Sequence, residues 1–319
     1  MELGEMMKAV RLQSYGDVDQ FLVEEIPVPE PGPGEMLIRV EVSAVNPFDI
    51  ILRRGLRQNV RPLSLPATLG TDAAGVVVRV GPGVARFRPG DRVIADFPHN
   101  GRGAHAEFGV VPETAATLLP DNVSFEEGAT LPKAGLTGRQ TVTALGVGAG
   151  ATVLVSGALG VVGRAAVQYL KEIHAVPVAG VRPDRVDEAR RVAGEALDIT
   201  VAPTTPSFDY AISTAAPVMQ HVIDHVRKDG TVVNIVPEVP ASMSEHAASK
   251  QVRLVQVRHR TDAETLSAVA AAAASGALRI PVARVLSFAE LGQAHRLVEE
   301  GAAGKVLIKP WDPSTFGIR

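Results

Sequence analysis

The sequence predicts an α/β protein in which a strand-rich, barrel-like segment precedes a doubly wound parallel sheet. Three observations point there. Up to about residue 120, short apolar runs are broken by Pro and Gly at close intervals, the punctuation of a compact β domain. Beyond about residue 125, continuous apolar runs of strand length alternate with stretches of helical periodicity. A glycine-rich turn, residues 156–163, joins the first of those runs to a helix.

Residues 1–6 read as a lead-in, and the first strand begins at Met7. Leu37 to Val45 alternates apolar and polar side chains until Asn46-Pro47 turns the chain. Ala73 to Val80 is an apolar strand closed by Gly81-Pro82-Gly83, and Arg92 to Asp96 follows the turn Arg88-Pro89-Gly90-Asp91. Ala151 to Ser156 is short and continuously apolar, the pattern of a parallel strand covered on both faces. In the helix that follows, Ala165, Ala166, Tyr169, Leu170 and Ile173 share one face. Further strands are expected at Ala175–Val181, Phe208–Ser213, Thr231–Val236 and Arg253–Val257. An Ala-rich helix from Ala263 to Ser275, a strand at Pro281–Leu286, a helix at Phe288–Glu300 and a strand at Lys305–Lys309 complete the chain.

Composition narrows the function. A chain of 319 residues can bury two cores, and 46% hydrophobic with 21% charged residues is the balance of a folded globular protein. A net charge of −3 offers no basic field for nucleic acid or an anionic membrane. No apolar run approaches the roughly 20 residues that span a bilayer, and MELGEMMKAV lacks the layout of a secretory signal, so a cytoplasmic location is expected. Cysteine is absent, which removes disulfides, a thiolate nucleophile and Cys-ligated zinc.

The turn Ser156-Gly157-Ala158-Leu159-Gly160-Val161-Val162-Gly163 follows a buried strand and opens a helix, the setting of a dinucleotide fingerprint. Gly160 would let the backbone approach a pyrophosphate, and Gly163 would let the helix lie close on the sheet. The helix N-terminus would offer free N–H groups and a positive dipole end. Ala158 departs from the usual first glycine, giving A-x-G-x-x-G. At the end of the next strand, Arg182 stands where an NAD-selective site wants an acid, and with Arg185 it suits a 2′-phosphate, pointing to NADPH. Asp184 keeps open the reading in which an acid lies within reach of the ribose, or caps a helix.

With that turn placed, the chain from Met7 to about Pro310 resembles the medium-chain dehydrogenase/reductase superfamily, specifically its quinone oxidoreductase branch. The segments that carry the resemblance include Ala44-Val45-Asn46-Pro47-Phe48-Asp49, Leu69-Gly70-Thr71-Asp72-Ala73-Ala74-Gly75, Pro89-Gly90-Asp91-Arg92-Val93, Leu131-Pro132-Lys133-Ala134-Gly135-Leu136-Thr137 and Gly304-Lys305-Val306. The resemblance implies a Rossmann domain inserted in a GroES-like catalytic domain, with residues 1–122 and 261–319 in the latter and 123–260 in the former. It implies a polar residue, Asn46, near the nicotinamide, and Thr137 beside its ribose. Ser213, Thr214, Val236 and Pro237 would flank the cofactor at strand ends, and Lys305 would reach the phosphates unless it is a surface lysine. A homodimer joined through an edge strand of the Rossmann sheet, Arg253–Val257 here, is also implied.

Zinc members of this superfamily supply a Cys after an early strand and a Gly-His-Glu segment. The corresponding stretches here are Ser43-Ala44-Val45-Asn46 and Gly70-Thr71-Asp72, so no metal is expected. His221 and His225, four apart, read as a solvated helix face, and His99 and His105 as residues of an ordinary surface loop, the alternative being a loop that borders the substrate opening. Hydride transfer from NADPH to a quinone or an activated C=C bond needs no metal. Relatives place a Tyr where this chain has Ile51, which removes the obvious proton donor. Lys133 takes up that role in the sequence reading, against the alternative of a solvent-facing lysine, and Asp49 is read as structural. A second functional reading is an NADPH-binding protein with a non-redox or regulatory role.

Overall fold

The computed structural model describes residues 4–236 and 238–311. The first half of the chain runs β1 (Met6–Leu12), β2 (Phe21–Pro27), β3 (Glu35–Val45), α1 (Pro47–Arg53), β4 (Asp72–Val80), β5 (Arg92–Asp96), β6 (Phe108–Pro112), β7 (Ala116–Leu118), α2 (Phe125–Ala129) and α3 (Leu131–Leu145). It continues with β8 (Thr152–Ser156), α4 (Val161–Glu172), β9 (Val176–Val181), α5 (Val186–Ala193), β10 (Glu195–Asp198), β11 (Phe208–Ser213), α6 (Met219–His225) and β12 (Val226–Asn234). Last come α7 (Ala241–Ser249), β13 (Arg253–Gln256), α8 (Ala263–Ala274), β14 (Val282–Ser287), α9 (Leu291–Glu299) and β15 (Lys305–Lys309).

Two compact units divide the described residues. One holds the chain through Lys133, Thr261–Ala274 and the residues from Ile280 on; the other holds Ala134–Arg260 and Ser275–Arg279. The change of sequence rhythm at 122/123 thus precedes the division. Helix α2 stays with the first unit because Gly128 lies where an added Cβ would be within 3.2 Å of Ile94, Leu119 and Ala74 side chains, and Arg92 stacks on Phe125.

In the first unit seven strands form one sheet: the order is β14-β15-β3-β4-β5-β7, with β6 also paired to β3, and β1 with β2 forms a separate pair. The long β3 is buried along most of its length, and Met36, Ile38 and Val40 meet Val77, Val93 and Phe97 in the core. Register matters more than core content here. Ala44 pairs with Asp72 and Val45 with Val306, so the residue after β3, the first of β4 and the first of β15 converge. Those residues are Asn46, Asp72 and Lys305.

In the second unit six strands, all parallel, run β10-β9-β8-β11-β12-β13. Val153, Leu154 and Val155 of β8 are fully buried, as the apolar run requires. Strand order departs in opposite directions from β8, to β9 on one side and β11 on the other, which makes the β8/β11 boundary a topological switch point. A single rung, Gly180–Ser156–Ser213–Asn234–Gln256, marks the carboxyl end of the sheet. No helix among the described residues is long and apolar enough to cross a membrane.

Candidate active site

Immediately beyond that rung lie most of the residues singled out for a nucleotide. Gly157 has φ +70°, open to glycine at little strain, and a Cβ on it would come 2.2 Å from Thr214 Oγ1. The Thr214 hydroxyl donates to the Ser156 carbonyl at 2.8 Å, fastening the end of β11 to the end of β8. Ala158 is fully buried, and Gly160 caps α4 with no side-chain acceptor, so Val161, Val162 and Gly163 open the helix below a bare turn. A Cβ on Gly163 would fall 2.1 Å from the Gly157 carbonyl oxygen. Helix and turn are therefore as close as glycine permits. A glycine-rich backbone turn at the positive end of a 12-residue helix fits a dinucleotide diphosphate.

Around this turn the structure adds arginines unequally engaged. Arg182, 68% exposed, has its nearest carboxylate at 3.6 Å in Asp184. Arg185 instead clasps Glu188, with Nε at 2.7 Å from Oε2. Arg164, not singled out from the sequence, donates to the Leu159 carbonyl at 3.0 Å and to the other Glu188 oxygen at 3.2 Å. Ser213 is buried, the Val236 carbonyl accepts from Gln256 Nε2 at 2.7 Å, and Thr137 Oγ1 lies 3.1 Å from His259 Nδ1. Pro237 lies outside the described residues.

In the first unit Asn46, Lys133 and Lys305 meet around a carboxylate that sequence reading passed over. Asp72, fully buried, accepts from Lys305 Nζ at 2.5 Å, from Asn46 Nδ2 at 3.1 Å and from the Lys133 backbone N–H at 2.9 Å. Lys305 Nζ also donates to Asn46 Oδ1 at 2.5 Å, and Asn46 Nδ2 lies 3.3 Å from Thr71 Oγ1. Lys305 is 2% exposed, so it is not a surface lysine, and its ammonium is held by Asp72 and Asn46. Lys133 Nζ sits 2.7 Å from the buried Asp96, whose second oxygen accepts from Thr261 at 2.6 Å. With 13% of its side chain exposed, Lys133 is not solvent-facing either. An acid opening the apolar run Asp72-Ala73-Ala74-Gly75-Val76 was the signal for Asp72.

Asp49 holds this junction from below, accepting from the Asn46 N–H at 2.8 Å and the Gly70 N–H at 3.2 Å. Burial pushes its carboxyl up to about 6, against the opposing pull of the two backbone donors. His105 corrects the surface-loop expectation: it is fully buried, 2.9 Å from Ser43 Oγ through Nδ1, and burial takes its imidazole down to about 3. Gly70, at φ +92°, makes room for it, since a Cβ there would lie 2.8 Å from the ring. His99 packs against Phe48 with ring centroids 4.5 Å apart and the planes tilted by 58°. His225 is also buried, its Nδ1–H donating to the His221 carbonyl at 2.8 Å, which overturns the solvated-face reading for that residue.

Metal does not fit the positions that zinc relatives would use. Asn46 Oδ1 and Asp72 Oδ2 already face an ammonium, and no group of three or more His, Asp or Glu side chains among the described residues is placed to share an ion.

Comparison with known proteins places the chain in a family. Residues 32–121 match the alcohol dehydrogenase GroES-like domain, and residues 188–308 match the zinc-binding dehydrogenase family. The chloroplastic quinone-oxidoreductase QR1 of Triphysaria versicolor is 31% identical over 96% of this chain and 99% of its own length. The trans-enoyl reductase tazE of Aspergillus terreus is 34% identical over 65% of this chain and 69% of its own. Among solved structures, the quinone oxidoreductase from Coxiella burnetii superposes with a TM-score of 0.87 at 25% identity, covering 96% of this chain and 100% of that one. A GroES-like domain with an inserted doubly wound sheet, its glycine turn and relatives that match nearly end to end lead to one conclusion: this chain is an oxidoreductase of the medium-chain dehydrogenase/reductase superfamily and belongs to its quinone oxidoreductase branch.

Proposed function

We propose that the protein transfers hydride from NADPH to a quinone or to the activated C=C bond of an enone or enoyl substrate, without zinc. The observation that carries this reading is the bare backbone turn at Gly157–Gly163 with the exposed guanidinium of Arg182 at the end of the neighbouring strand. When bound, the dihydronicotinamide supplies the hydride. The chain's own part is to hold and orient. The first amides of α4 bind the diphosphate, Arg182 takes the 2′-phosphate, and Asn46 and Thr137 border the nicotinamide end. Lys133 is assigned to positioning, because its ammonium is engaged by Asp96. The proton that balances the hydride comes from solvent water, giving hydroquinone or saturated product.

The test follows NADPH oxidation across a panel of small quinones, enones and enals. Turnover with some of them is expected. Tight NADPH binding with no oxidation by any acceptor would favour the second reading, a non-redox or regulatory binder, for which the engagement of the Lys133 ammonium by Asp96 speaks. Calorimetry of Arg182→Ala should show NADPH binding weakened about 10- to 100-fold, the worth of a charge-assisted hydrogen bond. NADH binding should barely change. Equal losses for both nucleotides would remove Arg182 from the phosphate site. A cytoplasmic homodimer joined at β13 completes the proposal.

A further inference from the structure

A carboxylate and an ammonium buried together cost more in lost hydration than they commonly regain, and apolar residues of similar size often give a more stable fold. Asp72 and Lys305 are such a pair, with side chains 0% and 2% exposed. Their geometry does more than neutralise. An asparagine side chain has one acceptor and one donor end that can exchange by a half-turn of the amide. Here Lys305 donates to Oδ1, while Nδ2 donates to Thr71 and to the same Asp72 oxygen that Lys305 holds. Lys305 donates only and the Asp72 carboxylate accepts only, so a flipped amide would point N–H at ammonium and oxygen at carboxylate. Only one setting survives. The backbone is fixed as well, since Asp49 accepts from the Asn46 N–H.

We infer that Asp72 and Lys305 are a positioning pair: they lock the Asn46 carboxamide in a single orientation, and that orientation is what the reaction uses. This rests on the proposal that Asn46 borders the nicotinamide end of the site. The same Asp72 carboxylate accepts the Lys133 N–H in the first turn of α3, so one buried acid ties three chain segments, β3, β15 and α3, at this point.

The experiment uses the full chain and removes both charges together, in Lys305→Met with Asp72→Asn, so that no lone buried charge is left to unfold the protein. Its first arm is independent of turnover. In asparagine-labelled protein the Asn46 side-chain amide protons should exchange slowly with solvent, and in the paired variant they should exchange faster. An unchanged amide would overturn the proposal whatever the enzyme does. The second arm is a cycle with Asn46→Ala. The paired variant should lose kcat at least about 10-fold, as misplacement of a site group does. Its NADPH affinity and unfolding midpoint should stay near wild type. In the Asn46→Ala background the same two substitutions should cost nothing further. Losses that simply multiply would show that the pair supports the fold rather than Asn46, and would overturn the inference. A wild-type chain with an ordered amide and no turnover would sink the proposed reaction while the amide arm still decides the positioning.

Discussion

At the scale of single residues, the nucleotide half of the site depends on an absence of side chains. Gly163 is the sharpest case, since any Cβ there meets a carbonyl oxygen at 2.1 Å, backbone that cannot swing aside. Gly163→Ala should therefore push α4 off the turn. A destabilisation of about 1–3 kcal/mol is expected from overpacking of this kind, with NADPH affinity lost in parallel, as read by thermal unfolding with and without nucleotide. Gly160 is the useful contrast. A Cβ there approaches the Gly157 oxygen to 3.3 Å and φ is −75°, so alanine asks the turn to give only by a few tenths of an ångström. Gly160→Ala should keep the unfolding midpoint and weaken nucleotide binding alone. Equal behaviour of the two variants would show that the turn is merely a tight connection. Ala158 belongs to the same logic: fully buried and small, it stands where the usual motif has glycine.

Among the elements, those whose burial is symmetric were the easiest to read from sequence. β8 is buried from Val153 to Ser156 and β11 from Ala211 to Ser213, so each carries a short buried run that stands out in the sequence. β10, Glu195–Asp198, escaped because a short edge strand is only half covered and carries no β-branched signal. β12 begins at Val226 rather than Thr231, since Asp229, with φ +64°, and Gly230 turn within it while its pairing to β11 shifts register. The same contrast governs the site. The glycine turn is contiguous and legible, and Arg182 follows at the end of the next strand. Asn46, Asp72 and Lys305 meet only through the register of β3 with β4 and β15, and no local pattern announces a pairing made across so much chain. The outer element of the parallel sheet, β13, bears on assembly. It is short, half-exposed and unpaired on one side among the described residues. If the proposed homodimer joins there, Val255→Lys should set like charges against each other across the two-fold and split it. Sedimentation at equal concentration would register the change, and a monomeric wild-type protein would refute the assembly outright.

For the molecule as a whole, the buried titratable groups of the first unit set how stability responds to acid. His105 is held at about 3 and His295 well below its ordinary value, both by burial, so each stays neutral in the fold and takes up a proton on unfolding at any pH below about 6.5. Their contribution is complete above that pH and is lost on acidification. Asp49 works the other way. Raised to about 6, it is protonated in the fold between roughly pH 4 and 6 but ionised in the unfolded chain, so it releases a proton on unfolding there and favours the fold as pH falls. Near pH 5 the uptake by the two histidines opposes the release by Asp49, and with two groups against one the balance runs in the direction of acid destabilisation. Substitutions should separate the terms. His105→Gln removes one uptake and should flatten the slope between pH 6 and 4.5 by nearly one proton. Asp49→Asn removes the opposing release and should steepen it by a similar amount, whatever either change does to stability at pH 7.5. Urea titrations at half-unit steps of pH would measure both. If the two variants moved the slope in the same direction, Asp49 and His105 could not have the protonation states that their burial dictates.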